Sequence, residues 1–236
     1  MSLTEARRQE LQAQLKAAID DADEQAGVAL AQAALAEGIT PVVLFQDVIQ
    51  PVLQEIGDAF ARLDVFLPEL MRAGLVVKAM QFEVLEPAIR QSGGESGSAG
   101  TVVIGTAQGD IHDIGKNMVA LMLQVNGFKV VDLGTNVSPQ TFIDAARRER
   151  ADIIAMSSLL TPTLPYIKDL VKRLESLDER KRYVLIAGGA PITREWAQAA
   201  GLDGFGEDAV EAVAVCQGLM KQRKESRSSP EKRGML

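Results

Sequence analysis

Short runs of Val and Ile alternate with amphipathic stretches through the second half of the chain, and this alternation limits the possible folds more than any other feature. Strands that are apolar along their whole length are typical of a parallel sheet with helices on both faces. Five such strand–helix units predict a doubly wound, five-stranded α/β fold of the flavodoxin or Rossmann-like type, with the strand order 2-1-3-4-5. The predicted strands are 101–106, 129–133, 152–157, 183–187 and 204–205, and the predicted helices are 113–126, 138–148, 164–177, 194–200 and 209–221.

The residues before this region are rich in Ala, Leu, Gln and Glu and have a helical period. Leu11, Leu15 and Ile19 are four residues apart, so they share one face of a helix. Short loops between such helices predict an N-terminal four-helix bundle, with a bend at Pro51. The predicted helices are 3–19, 23–37, 41–60 and 68–90.

Composition places the boundaries between these regions. Residues 92–100 are rich in Ser and Gly, as flexible linkers are. We therefore predict a helical domain over residues 1–91 and an α/β domain over 101–221. Residues 222–236 are polar, locally basic and without a period, which predicts a disordered tail.

Charge and residue counts exclude several classes of function. The net charge of −7 argues against a nucleic-acid binder with a broad basic face. One Cys excludes an intrachain disulfide, and one Cys with one His cannot form a structural zinc site. There is neither a signal region nor an apolar run long enough to span a bilayer, so we expect a cytoplasmic protein with no membrane partner.

Three unusual loops follow the first, third and fourth predicted strands. They are residues 108–117, 157–163 and 188–190. Ligands of doubly wound folds bind beyond the carboxyl ends of the strands, where the strand order reverses. In the order 2-1-3-4-5 this point lies between the first and third strands, so we expect the three loops to converge on one site.

The first loop does not match the common phosphate-binding motifs. Gly109 and Gly115 have five residues between them, and Asn117 stands where a P-loop requires Ser or Thr. The three-glycine dinucleotide fingerprint is also absent. Asp110 and Asp113 would supply part of the acidic cluster of a phosphate-accepting receiver domain, but that interpretation leaves the helical domain unexplained.

The pair Asp110 and His112 suits metal chemistry. A carboxylate two residues from an imidazole can accept a hydrogen bond from one ring nitrogen and leave the other nitrogen for a metal. No other part of the chain suggests a metal site made of protein ligands alone. The pattern favours one axial ligand to a metal that a macrocycle already holds, and the plain alternative is a loop histidine bonded to the backbone.

With these motifs the sequence resembles the cobalamin-binding corrinoid proteins of methyltransferase systems and the matching module of cobalamin-dependent methionine synthase. The family's Asp-x-His-x-x-Gly motif matches residues 110–115, its Ser-x-Leu motif matches 157–159 and its Gly-Gly pair matches 188–189. Residues 60–70 resemble the family's helical cap. The resemblance covers roughly residues 10–220.

The resemblance implies a role for each matching residue. His112 would ligate the cobalt from below and displace the cofactor's own dimethylbenzimidazole. Asp110 and the hydroxyl of Thr163 would complete a relay behind His112. Three cap residues would lie over the upper face of the corrin: Phe60, Leu67 and Leu70. The other implied cofactor-binding residues are Gly115, Ser157, Leu159, Thr161, Gly188, Gly189 and Ala190. The three glycines would leave room for the displaced nucleotide tail.

The resemblance also implies a function, namely a methyl carrier that is not catalytic alone. Co(I) would take a methyl group from a substrate-specific methyltransferase, and methyl-Co(III) would give it to an acceptor methyltransferase that uses a folate or a thiol. The cofactor would be methylcobalamin or hydroxocobalamin, and a reductive activase is a further implied partner. Three alternatives stay open: a cobalamin-binding regulatory or light-sensing protein, the small subunit of an adenosylcobalamin mutase, and a flavodoxin-like domain without cobalamin.

Overall fold

The computed structural model describes residues 3–92 and 99–228, which form two compact units. The first unit lies within Met1–Ser92 and the second within Gly93–Leu236. Most of the predicted linker (93–98) and the end of the predicted tail (229–236) lie outside the described residues. No helix in the described part of the chain has both the length and the apolar character needed to cross a bilayer.

The first unit consists of helical runs at the positions that the sequence period predicts. The first two helices are α1 (Glu5–Asp20) and α2 (Glu24–Ala36). The third run comprises α3 (Pro41–Leu44), a π-helical turn (Phe45–Ile49) and α4 (Gln50–Ala61). The fourth comprises α5 (Leu67–Met80), a second π-helical turn (Gln81–Leu85) and α6 (Glu86–Ser92).

Each of the two π-helical turns lies shortly before a proline. Pro51 and Pro87 each follow the end of a π-helical turn by two residues. Proline has no N–H to donate to the preceding turn, and its ring clashes with the carbonyl four residues back. A wider turn relieves that clash and lets the helix continue. The sequence predicts a bend at Pro51 but does not predict the π-helical turns.

The core of the first unit contains an unpartnered polar side chain. Gln81 is fully buried, and its Nε2 and Oε1 atoms have no hydrogen-bond partner among the described residues. A buried amide without partners costs about 1–3 kcal/mol of desolvation. Apolar side chains of similar length fit the same environment, because Val77, Met80 and Leu85 beside it in the chain are also buried.

We therefore expect Gln81→Met to raise the free energy of unfolding by about 1–2 kcal/mol, because it removes the unsatisfied amide and conserves the side-chain volume. Urea titration followed by circular dichroism measures the change. Gln14→Met on the exposed face of α1 is the matched control and should have little effect. A loss of stability in Gln81→Met would contradict the expectation.

The second unit contains a five-stranded parallel sheet in the predicted order. Its strands are β1 (Gly100–Thr106), β2 (Phe128–Asp132), β3 (Ile153–Ser157), β4 (Val184–Gly188) and β5 (Gly204–Phe205). The order is β2-β1-β3-β4-β5, and every neighbouring pair is parallel. Thr106 pairs with Ser157, and Ser157 pairs with Gly188, so β1, β3 and β4 end at the same level.

Helices cover both faces of this sheet, as the apolar strands predict. The helices are α7 (Ile114–Val125), α8 (Pro139–Glu149), α9 (Leu164–Ser176), α10 (Arg194–Ala199) and α11 (Ala209–Ser228). Val103 and Ile154 belong to the core on one face, whereas Val102 and Ile153 belong to the core on the other. This alternation follows from the two-residue period of a strand.

The prediction of a disordered tail is wrong for residues 222–228, because α11 continues to Ser228. The guanidinium group of Arg223 donates to the carbonyl of Asp152 at 3.3 Å and to the carbonyl of Arg182. These residues precede β3 and β4, so the extension is tied to the amino ends of two strands. The sequence did not predict this extension, because polar contacts of this kind produce no apolar period.

Candidate functional site

The loops after β1, β3 and β4 converge, and hydrogen bonds join them. The backbone N–H of Leu159 donates to Oδ2 of Asp110 at 2.6 Å, which ties the third-strand loop to the first-strand loop. The N–H of Ser158 donates to the carbonyl of Gly188 at 3.1 Å, which ties it to the fourth-strand loop. Because the three strands end level, loops distant in sequence meet at one edge of the sheet.

Asp110 is the buried centre of this arrangement. Its side chain is fully buried and accepts three hydrogen bonds. Two come from His112, through its backbone N–H at 3.0 Å and ring Nδ1 at 2.6 Å, and the third comes from Leu159. Burial raises the pKa of Asp110, but the hydrogen bonds from His112 and Leu159 outweigh it and hold the pKa below its ordinary value. The carboxyl is therefore ionised at neutral pH.

Every polar group of His112 except Nε2 forms a hydrogen bond. An ionised carboxylate only accepts hydrogen bonds, so Nδ1 carries the ring proton toward Asp110. The backbone N–H also donates to Asp110, and the carbonyl accepts from the hydroxyl of Thr106 at 2.9 Å. The side chain is 48% exposed. Nε2 is thus the one polar atom of His112 that has no hydrogen bond within the described part of the chain.

Asn136, in the connection between β2 and α8, forms hydrogen bonds with the loop that follows β1. Asn136 donates its N–H to the carbonyl of Asp110 at 2.9 Å and accepts from the N–H of Gly109 at 2.8 Å through Oδ1. Its φ of 54° is left-handed, a conformation that Asn tolerates better than most residues. Asn136 was not predicted from the sequence, because its only signal there is an Asn in a loop and its partners are distant in the chain.

Lys116 at the start of α7 reaches the end of β2. Its side chain is buried, forms an ion pair with Asp132 and donates to Oδ1 of Asn117 at 2.7 Å. These bonds fix the first turn of α7 directly after the loop that carries His112.

Thr163, the third member of the relay that the resemblance implies, bonds within its own loop in this structure. Its hydroxyl contacts Oγ of Ser158 at 2.6 Å and donates to the carbonyl of Leu160 at 2.7 Å. It makes no hydrogen bond to Asp110, whose second oxygen already accepts from Leu159. The structure thus contains the Asp110–His112 part of the expected relay, and the participation of Thr163 stays a prediction.

Gly188 and Gly189 lie where backbone segments of the second unit pack closely together. A Cβ on Gly189, whose φ is +126°, would lie 1.9 Å from the carbonyl oxygen of Ser158, and one on Gly188 would lie 2.6 Å from that of Gly206. Both glycines therefore permit close contact between backbone segments, and their expected role beside the nucleotide tail stays a prediction. A Cβ on Gly115 would meet no atom within 4 Å, so this glycine does border open space.

The other expected binding residues lie on the converging loops or in the first unit. Ser157 is partly buried, whereas Leu159, Thr161 and Ala190 are exposed. In the first unit, Phe60 is 39% and Leu67 61% exposed, and Leu70 is partly buried. Phe60 lies near the end of α4, and the other two lie in the first turns of α5.

The possible metal ligands at this site fit a metal that another molecule already holds. Among the described residues, no three His, Cys, Asp or Glu side chains are grouped to hold a metal ion. Nε2 of His112 can supply one nitrogen ligand with a fixed tautomer, which suits a metal that another molecule holds in its remaining positions. The open space beside Gly115 adds room next to that ligand.

Two family models, each described as a B12 binding domain, match the chain. One matches residues 100–214, which include Asp110, His112 and the three converging loops. The other matches residues 11–81, which include Phe60, Leu67 and Leu70.

Several relatives are similar to the chain over most of its length. Trimethylamine corrinoid protein 1 of Methanosarcina acetivorans is 39% identical over 91% of this chain and 99% of its own. Monomethylamine corrinoid protein 1 of the same organism is 36% identical over 81% of this chain and 89% of its own. Among solved structures, the monomethylamine corrinoid protein of Methanosarcina barkeri has a TM-score of 0.82 and 30% identity, covering 89% of this chain and 99% of that one.

Proposed function

Because the chain belongs to the family of B12-binding corrinoid proteins, we propose that it carries methyl groups on bound cobalamin and that His112 is the lower axial ligand of the cobalt. The observation that carries the axial role is the 2.6 Å contact between Nδ1 of His112 and Asp110, which leaves Nε2 free. When bound, cobalamin supplies a cobalt centre that accepts and releases a methyl group. The chain itself binds, orients and shields that centre.

Asp110 keeps His112 ready to bind the cobalt. The ionised carboxylate holds the ring proton on Nδ1, so Nε2 presents a lone pair, and it makes the imidazole a stronger electron donor. Because Asp110 is fully buried and bonded at both oxygens, the orientation of the ring is set before the cofactor arrives.

The surface around His112 is suited to a large, mainly apolar ring. Ile111, which precedes His112 in the chain, is 74% exposed, and Leu159, whose N–H bonds to Asp110, is 45% exposed. We assign the displaced nucleotide tail to Ser157, Thr161 and the open space beside Gly115. Ala190 on the same group of loops is assigned to the cofactor as well.

We assign the upper face of the cofactor to Phe60, Leu67 and Leu70 of the first unit. The exposure of Phe60 and Leu67 makes their apolar side chains available to a ligand. Apolar side chains at this face would exclude water from the reactive methyl group.

The methyl donor that we propose is a methylated amine. Relatives that cover most of this chain are named for trimethylamine, dimethylamine and monomethylamine. Their names favour the substrate class and leave the number of methyl groups open. The partners would be an amine methyltransferase on the donor side and a folate or thiol methyltransferase on the acceptor side, with a reductive activase to restore the reduced cobalt.

The test uses the cobalamin-loaded, chemically reduced protein. Methyltransferases for mono-, di- and trimethylamine are added one at a time with their amines, and methylation is followed by visible absorption. One pair is expected to methylate the cofactor, and dilution of the carrier should slow the reaction. Failure of all three pairs, together with light-dependent changes in oligomeric state with adenosylcobalamin, would contradict the carrier and support the regulatory alternative.

A further inference from the structure

Thr106 is the last residue of β1, and each of its polar groups makes a different contact. The side chain is fully buried. Its N–H donates to the carbonyl of Gly134 and its carbonyl accepts from the N–H of Val137, both at 2.9 Å. Its hydroxyl donates to the carbonyl of His112 at 2.9 Å. The backbone groups therefore anchor the strand end, and the hydroxyl reaches the loop that carries the histidine.

This hydroxyl fixes the side of His112 that Asp110 does not hold. Asp110 bonds the backbone N–H and the ring of His112. The carbonyl of His112 accepts a hydrogen bond from the hydroxyl of Thr106, its partner within the described residues. Two anchors on opposite sides of one Cα limit the positions that Nε2 can occupy more than either anchor alone.

We propose that Thr106 is a positioning residue for cobalt coordination, and that its buried hydroxyl holds the backbone of His112 where Nε2 meets the metal. This inference rests on the proposed axial role of His112. Because the side chain of Thr106 is fully buried and its hydroxyl bonds to His112, it would act through His112. A loop that visits other positions binds more weakly, since only the competent fraction of molecules takes up the ligand.

Thr106→Val tests the inference, because valine keeps the β-branched shape and lacks the hydroxyl. Thr106→Ser keeps the hydroxyl and is the conservative variant. Each protein is loaded with cob(II)alamin, and the dissociation constant and the nitrogen splitting in the electron paramagnetic resonance spectrum are measured. Loss of one hydrogen bond predicts about fivefold weaker binding for Thr106→Val, with a mixed axial-nitrogen signal, and near wild-type values for Thr106→Ser.

A general loss of stability is controlled with Cys216→Ala, which removes a buried side chain from α11. This variant should keep the wild-type spectrum. Equal binding and equal spectra in Thr106→Val and the wild type would overturn the positioning role, and so would the same spectral change in Cys216→Ala. If Thr106→Val does not fold, Thr106→Ala replaces it with the same expected result. A wild type without axial histidine would instead overturn the proposed function.

Discussion

Replacement of His112 by alanine is expected to remove the axial nitrogen of the protein and to weaken the retention of cobalamin at least about tenfold. His112 is the single histidine of the chain, so no other imidazole can replace it. Cofactor that stays bound should revert to ligation by its own base or by water. Hydroxocobalamin is mixed with each apo-protein, the mixture is desalted, and the visible spectra are compared.

The fold should survive this substitution, since the His112 side chain is half exposed and Asp110 keeps two backbone N–H partners. Ile111→Ala is the matched control, because it shortens the exposed neighbour and keeps the histidine. It should retain the wild-type axial signature. An unchanged spectrum and unchanged retention in His112→Ala would show that the cobalt does not depend on this residue.

Asp110→Asn is expected to lower the affinity for cobalamin by about 10- to 100-fold, the cost typical of losing the hydrogen-bond partner of a metal ligand. An amide has one acceptor where the carboxylate has two. With its oxygen toward Leu159, its NH₂ group faces Nδ1 of His112 and favours the tautomer whose Nε2 carries the proton. With the amide reversed, its NH₂ group faces the N–H of Leu159, and two donors are buried together.

The same substitution should lower stability in a pH-dependent way. The pKa of Asp110 is lowered in the folded protein, so ionisation of this group contributes stability above the unfolded pKa of about 4, and the contribution is lost as the pH falls through the folded pKa. The difference in unfolding free energy between wild type and Asp110→Asn should therefore be largest at neutral pH and shrink in acid. Asp144→Asn on the exposed face of α8 is the control and should show neither effect.

Apolar period and motif spacing predicted the positions of most elements. The Val and Ile runs locate β1 to β4 to within a residue at each end, because strands covered by helices on both faces are rich in such residues. The pair Asp110 and His112 is local, two residues apart, so its hydrogen bond was predictable from spacing.

Contacts between distant segments were not predictable in this way. Thr106, Asn136 and Leu159 all bond to the 109–112 segment of the His112 loop, and two of them come from other connections of the sheet. The Thr163 hydroxyl bonds to Ser158 and Leu160 of its own loop, and Oδ2 of Asp110 accepts from the N–H of Leu159. Neither periodicity nor motif spacing predicts which donor groups of distant loops bond to a buried carboxylate.

Isotope labelling of the single histidine tests the central claim most directly. The protein is grown with histidine that carries the heavy stable isotope of nitrogen, loaded with unlabelled cob(II)alamin and examined by electron paramagnetic resonance. If His112 is the axial ligand, the threefold nitrogen splitting of each cobalt line becomes twofold, because the two nitrogen isotopes differ in nuclear spin. A splitting that stays threefold would show that the axial nitrogen belongs to the cofactor's own base and would contradict ligation by His112.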